Sequence, residues 1–176
     1  MERQPSAGSP GGRQACRRLP YHKLVDADEE FMREALRLAC MGASAGEVPV
    51  GAVAVGRGEI LARAYNAPIS RNDPTAHAEI LALRQTAERI GNYRLEGVTL
   101  YCTLEPCAMC AGALVAARIE RLVFGSRDLR FGAVRSKFQL ADSELLNHRV
   151  AIVEGVLAPE CVELLREFFE TKRRPC

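Results

Sequence analysis

The chain has 176 residues, 48% hydrophobic and 26% charged, with no tryptophan, which suits a single ordinary globular domain. No apolar run approaches the roughly 18–20 residues that cross a bilayer, so a membrane-spanning helix is excluded. A formal net charge of +2 is too small for a protein that coats nucleic acid wholesale.

Charge is unevenly placed. Residues 1–25 hold Arg3, Arg13, Arg17, Arg18 and Lys23 against Glu2 alone, so the rest of the chain is net acidic. Gly, Pro, Ser and Arg dominate this stretch, and it offers almost nothing apolar to bury. It lacks the apolar run of about 7–15 residues that a secretory signal needs, and its Gly/Pro content suits a transit helix poorly. The expectation is a disordered basic Gly/Pro/Arg-rich tail over 1–25, a single domain over 26–176, and a cytoplasmic protein.

Asp26 and Glu29 have capping-box spacing and predict a helix start, with Phe31, Met32, Ala35, Leu36, Leu38 and Ala39 recurring at helical intervals toward Gly42–Gly46. Val48–Val55 is apolar on both faces and reads as a covered strand. A turn at Gly56-Arg57-Gly58 returns the chain as a second strand over Glu59–Asn66. A helix is predicted from Thr75 to about Arg89, and a strand over Val98–Thr103 runs into Glu105-Pro106-Cys107. Cys107–Arg118 reads as a buried small-residue helix and Arg121–Phe124 as a strand. A basic loop follows over about 125–140, then a short strand at Val150–Val153. Pro159–Thr171 closes the chain as an amphipathic helix with Val162, Leu165 and Phe169 as its stripe. Alternating strands and helices predict an α/β sandwich.

Seven cysteines, an odd number and mostly scattered, do not form a secreted disulfide framework. The exception is Cys107-Ala108-Met109-Cys110, at a predicted helix start, where both sulfurs share one face and the helix end favours thiolates. His77-Ala78-Glu79 stands at the other helix start. Two thiolates and one imidazole are three good zinc ligands, leaving a fourth position for water as catalytic sites do. Glu79 is then the carboxylate that takes and returns a proton. Because i and i+2 do not share a helix face, His77 must lie at an irregular helix entry for both side chains to converge. A lone C-x-x-C also suits a redox pair or half of a four-cysteine zinc site. However, the chain has no second C-x-x-C, and a dithiol leaves His77 and Glu79 unexplained.

These motifs, with Glu47–Val53, Asn72–Ile80, Leu100–Ala113 and Asn147–Val150, resemble the bacterial tRNA-specific adenosine deaminases of the zinc-dependent cytidine/deoxycytidylate deaminase superfamily. The resemblance runs from about Asp28 to about Arg174. It implies a three-layer α/β/α fold, with helices on both faces of a central mixed five-stranded sheet. It also implies one Zn²⁺ per subunit, a homodimer, and conversion of the wobble adenosine of an arginine tRNA to inosine. His77, Cys107 and Cys110 then correspond to the zinc ligands, Glu79 to the proton shuttle, and Asn66 to an asparagine that hydrogen-bonds the target base.

Arg127, Asp128 and Arg130 fall in the loop that holds the anticodon, and Phe168 and Phe169 precede the basic Lys172-Arg173-Arg174 end. Arg130 stands where Lys is usual, Phe131 replaces a small residue and Arg135 replaces a Gly. Residues 118–137 carry six cations against two acids, which with the nearby aromatic rings suits a splayed single-stranded loop such as a tRNA anticodon stem-loop. Two rival readings remain at this point: a deaminase of a free base or nucleoside of the guanine or cytosine type, and an inactive RNA-binding subunit.

Overall fold

The computed structural model describes residues 21–173, with side chains from Ala27 onward. Ten elements follow in order: α1 Tyr21–Ser44, β1 Gly51–Gly56, β2 Glu59–Tyr65, α2 Pro68–Arg71, α3 Ala78–Ile90, β3 Val98–Leu104, α4 Ala108–Ala117, β4 Arg121–Ser126, β5 Ala151–Glu154 and α5 Ala158–Arg173. The strands form one mixed sheet in the order β2-β1-β3-β4-β5. The β1–β2 and β1–β3 pairs are antiparallel, whereas β3–β4 and β4–β5 are parallel.

Strand alternation sorts the core into two layers. Ala52, Ala54, Leu100, Cys102, Leu122 and Phe124 share one cluster with Leu81 and Ala82 of α3 and Ala111 and Leu114 of α4. Val53, Val55, Tyr101 and Val123 face the other way, onto Met32, Ala35 and Leu38 of α1 and Cys161 of α5. This is the expected α/β/α sandwich. Phe124, Leu100 and Leu122 are fully buried, each contributing about 1.5–3 kcal/mol from removal of apolar surface from water.

Several boundaries differ from expectation. The helix α1 begins at Tyr21, so Asp26 lies within it and its spacing to Glu29 marks no start. Residues 1–20, most of the expected tail, lie outside the described residues. The strand β1 opens only at Gly51: Pro49 has no N–H to give a ladder, and Val50 N turns back to Val48 O at 2.8 Å. The one-turn helix α2 is too short to show a period. The buried Glu47 carboxylate caps it by accepting from Ile69 N at 3.3 Å and Ser70 N at 2.7 Å. On α5 the inward face is Cys161, Leu165 and Phe169, while Val162 is 51% exposed. A Cβ at Gly125 would overlap Cys161 Sγ, so the bare glycine backbone lets α5 dock there.

One polar pair ties the layers together. The Arg121 guanidinium donates to both Asp28 oxygens, at 2.8 and 2.6 Å, and Tyr101 OH donates to Asp28 at 2.8 Å. Arg121 opens β4, while Arg127–Phe131 follow that strand's other end. The sequence cluster of cations over 118–137 is therefore split between two ends of the sheet.

Candidate metal and catalytic site

Two helices begin side by side at the end of the sheet where β3 stops. His77 is the N-cap of α3 in an extended conformation (φ −70°, ψ 150°), and Cys107 is the extended N-cap of α4 (φ −71°, ψ 175°). Helix α3 starts at Ala78 and not at Thr75, because Asp73 Oδ1 holds Thr75 N at 2.8 Å and Thr75 Oγ1 at 2.7 Å in a turn. His77 thus sits at the irregular entry that its convergence with Glu79 requires.

His77 Nδ1 lies 3.6 Å from Cys107 Sγ and 3.5 Å from Cys110 Sγ. These ligand atoms all fall within 4.8 Å of one another, the only such metal-holding group among the described residues. The Cys107 thiol is lowered to about 4, first by the hydrogen bond from Cys110 and then by His77, against burial. Cys110 is raised in turn by the same hydrogen bond and by burial. The pair gives up one proton readily, and a soft divalent cation favours loss of the second. Two thiolates and an imidazole suit zinc, and one Zn²⁺ per chain fits this set. His77, Cys107 and Cys110 are the residues that could hold it.

Glu79, in the first turn of α3, is 4% exposed, and its Oε2 has no partner. Burial, only partly offset by its own backbone N–H and by His77, raises its carboxyl above the usual range. An unpaired buried carboxylate oxygen is costly to folding and so points to chemistry.

Glu79, His77 and Cys107 lie in a cleft of about 690 Å³ whose walls include Asn66, Leu104, Arg127–Phe131, Leu165 and Phe169. Asn66 is buried, and its Oδ1 accepts from Ala78 N at 2.9 Å, leaving the Nδ2 amide as its free donor. The expected loop residues divide. Arg127 is engaged by Glu154 through two hydrogen bonds of 2.8 Å. Asp128 Oδ1 accepts from Arg130 N at 2.9 Å and Phe131 N at 3.2 Å, so this side chain shapes the loop.

Arg130 lies over the Phe131 ring at 5.8 Å, and Phe131 is 67% exposed. Phe169 lines the cleft; Phe168 does not, and packs edge-on to Phe169 beneath Lys172. Arg135, counted with the loop cations from sequence, turns inward to Asp142 at 2.9 and 3.1 Å. Arg174 lies outside the described residues.

Sequence reasoning missed Glu105. Its 2%-exposed carboxylate gathers the loop's backbone. Burial pushes its pKa up, but donors from Ser136, Arg135 and Val134 outweigh this and hold it below the usual range. The available signal was an acid directly before the Pro-Cys motif.

Residues 25–126 match the model of the cytidine and deoxycytidylate deaminase zinc-binding region. The chain is 50% identical over 147 residues to the tRNA-specific adenosine deaminase of Haemophilus influenzae, covering 83% of this chain and 85% of that one. A solved structure from a study of adenosine-to-inosine editing by tRNA:A34 deaminases at the wobble position matches with a TM-score of 0.75 and 42% identity. That match covers 77% of this chain and 99% of the other. The guanine deaminase of Bacillus subtilis is also similar, with a TM-score of 0.54 and 34% identity over 62% of this chain and 80% of its own.

Proposed function

Because the chain belongs to the cytidine and deoxycytidylate deaminase zinc-binding family, and within it to the tRNA-specific adenosine deaminases, we propose that it converts the wobble adenosine of a tRNA, that of an arginine tRNA, to inosine. It is a zinc-dependent hydrolytic deaminase. The observation that carries the reading is the buried Glu79 carboxylate, with one oxygen unpartnered, beside the His77, Cys107 and Cys110 cluster. The reading also makes the protein a cytoplasmic homodimer, in line with its resemblance to this family.

Bound zinc supplies a Lewis acid that makes water nucleophilic at neutral pH. Glu79 takes the proton released as a C–O bond forms at the ring carbon bearing the amino group. It returns that proton to the nitrogen as the C–N bond breaks and ammonia leaves. Asn66 presents its amide donor to an acceptor on the purine edge, with Oδ1 pinned by Ala78. A cleft of about 690 Å³ accommodates a nucleotide and part of its neighbours. Arg130, Phe131 and Phe169 stand around it to take phosphates and unstacked bases, which an anticodon loop exposes at less cost than a duplex.

Mass spectrometry after parallel incubation with an arginine anticodon stem-loop, free adenosine, guanine and cytosine tests the reading. Inosine from the stem-loop alone is expected. Product from guanine or cytosine with the stem-loop unreacted would establish a free-base deaminase instead. A bound but unreacted stem-loop would establish an inactive RNA-binding subunit.

A further inference from the structure

The loop that walls the cleft has few apolar anchors at its tip, since Leu129 and Phe131 are 73% and 67% exposed. Its backbone is instead gathered on one buried side chain. Glu105 Oε1 accepts from Val134 N at 3.0 Å, Arg135 N at 2.6 Å and Ser136 N at 2.8 Å, and Oε2 accepts from Asp128 N at 3.0 Å and from Ser136 Oγ. Main-chain links complete the staple. Glu105 N donates to Ser126 O at 2.8 Å, Ala133 N donates to Pro106 O at 2.8 Å, and Gly132 bridges to Cys107. A Cβ at Gly132 would overlap the Glu105 carboxylate and lie 2.6 Å from Asp128 O, so the close approach needs glycine.

We propose that Glu105 is a positioning residue that fixes the 128–136 loop onto the metal-binding turn, so the substrate-facing wall of the cleft is built before substrate arrives. Glu105 is followed directly by Pro106 and the ligand Cys107, so the same backbone carries the metal ligand and the loop's anchor. The distance between the reacting centre and Arg127–Phe131 is thereby set by one short stretch of chain. Four backbone N–H groups, that of Val134 buried and those of Asp128, Arg135 and Ser136 partly buried, would otherwise lose this partner. A wall ordered in advance spares substrate binding the entropy of ordering it. That this wall meets RNA rests on the function proposed above; that Glu105 orders it does not.

The test uses the full zinc-loaded chain and the variant Glu105→Gln, which keeps Oε1 as an acceptor but can place an NH2 group against Asp128 N–H. Amide exchange at Asp128 and Val134–Ser136 should accelerate at least tenfold, with α3 and α4 unchanged and one zinc per chain retained. The half-saturating stem-loop concentration should rise at least tenfold, while turnover at saturation changes less than threefold. Gly132→Ala, which keeps the carboxylate but forces it aside, should give the same split. Unchanged exchange at these amides, or lost turnover with unchanged half-saturation, would overturn the proposal. Should Glu105→Gln fail to fold, Ser136→Ala removes a single donor and should show the same split at about threefold; no shift there would also overturn it. Should the wild type leave the stem-loop unreacted, the exchange measurement alone decides whether Glu105 orders the loop.

Discussion

Asn66 Oδ1 accepts a hydrogen bond from Ala78 N at 2.9 Å, which ties the end of the β1–β2 hairpin to the helix that carries His77 and Glu79. The bond sets the amide's orientation and satisfies one of the unpaired N–H groups at the start of α3. Asn66→Asp keeps the acceptor for Ala78 but loses the donor to the base. It should lower kcat/KM about thirtyfold, equivalent to ~2 kcal/mol. Steady-state kinetics on the stem-loop checks this, and wild-type kcat/KM in the Asp variant would remove Asn66 from base recognition.

Phe168 and Phe169 touch each other but are unequally placed, since Phe169 lines the cleft and Phe168 does not. Phe169→Ala should weaken stem-loop binding at least tenfold, or about 1.4 kcal/mol. Phe168→Ala, losing the ring beneath Lys172, should cost threefold or less. Fluorescence anisotropy on the two variants decides, and equal losses would argue against this assignment.

The Arg135 guanidinium holds the Asp142 carboxyl below its usual range, with burial opposing the shift. A lowered folded pKa means that the pair's contribution is complete above the unfolded value of about 4 and is lost as pH falls through the folded value. With side-chain exposures of 23% and 28%, the pair is worth about 0.5–1 kcal/mol, since partly exposed ion pairs contribute little. Asp142→Asn should therefore melt a few degrees below wild type near neutral pH. The difference should close on acidification below about pH 4. Thermal melts across that range check it, and a widening difference would contradict the pairing.

Zinc should be present at about one per chain. Cys107→Ala should lose most of it, since Cys107, at the α4 N-cap, belongs to the group of three side chains among the described residues that could hold a metal. Elemental analysis of the purified variant measures this directly, and full retention would take Cys107 out of the ligand set.

Much of this architecture was readable in the chain because its signals are local. The Gly56-Arg57-Gly58 turn closes the β1–β2 hairpin where expected, with Arg57 and Gly58 at φ 54° and 80°. The two motif-bearing helix starts converge because His77 and Cys107 are both N-caps. What escaped was pairing between distant segments. Arg121 counts as a loop cation in sequence, but β4 delivers it to Asp28 at the far end of the sheet. Arg135 likewise reads as a basic loop residue until Asp142 is seen beside it. Val162 fits an apolar stripe, yet it lies one position off the face that Cys161 sets against Gly125. Glu105 carries no periodicity or motif of its own, and its partners lie more than twenty positions away.

The most direct test of the account is the single-turnover rate of zinc-loaded Glu79→Ala on the anticodon stem-loop, with zinc content and RNA affinity measured on the same sample. Glu79 is assigned proton transfer and not coordination, so zinc and affinity should match wild type. The rate should fall by about 10²–10⁴-fold or more, as expected for a group serving both proton steps. A variant that keeps full zinc and more than a tenth of the wild-type rate would contradict the account.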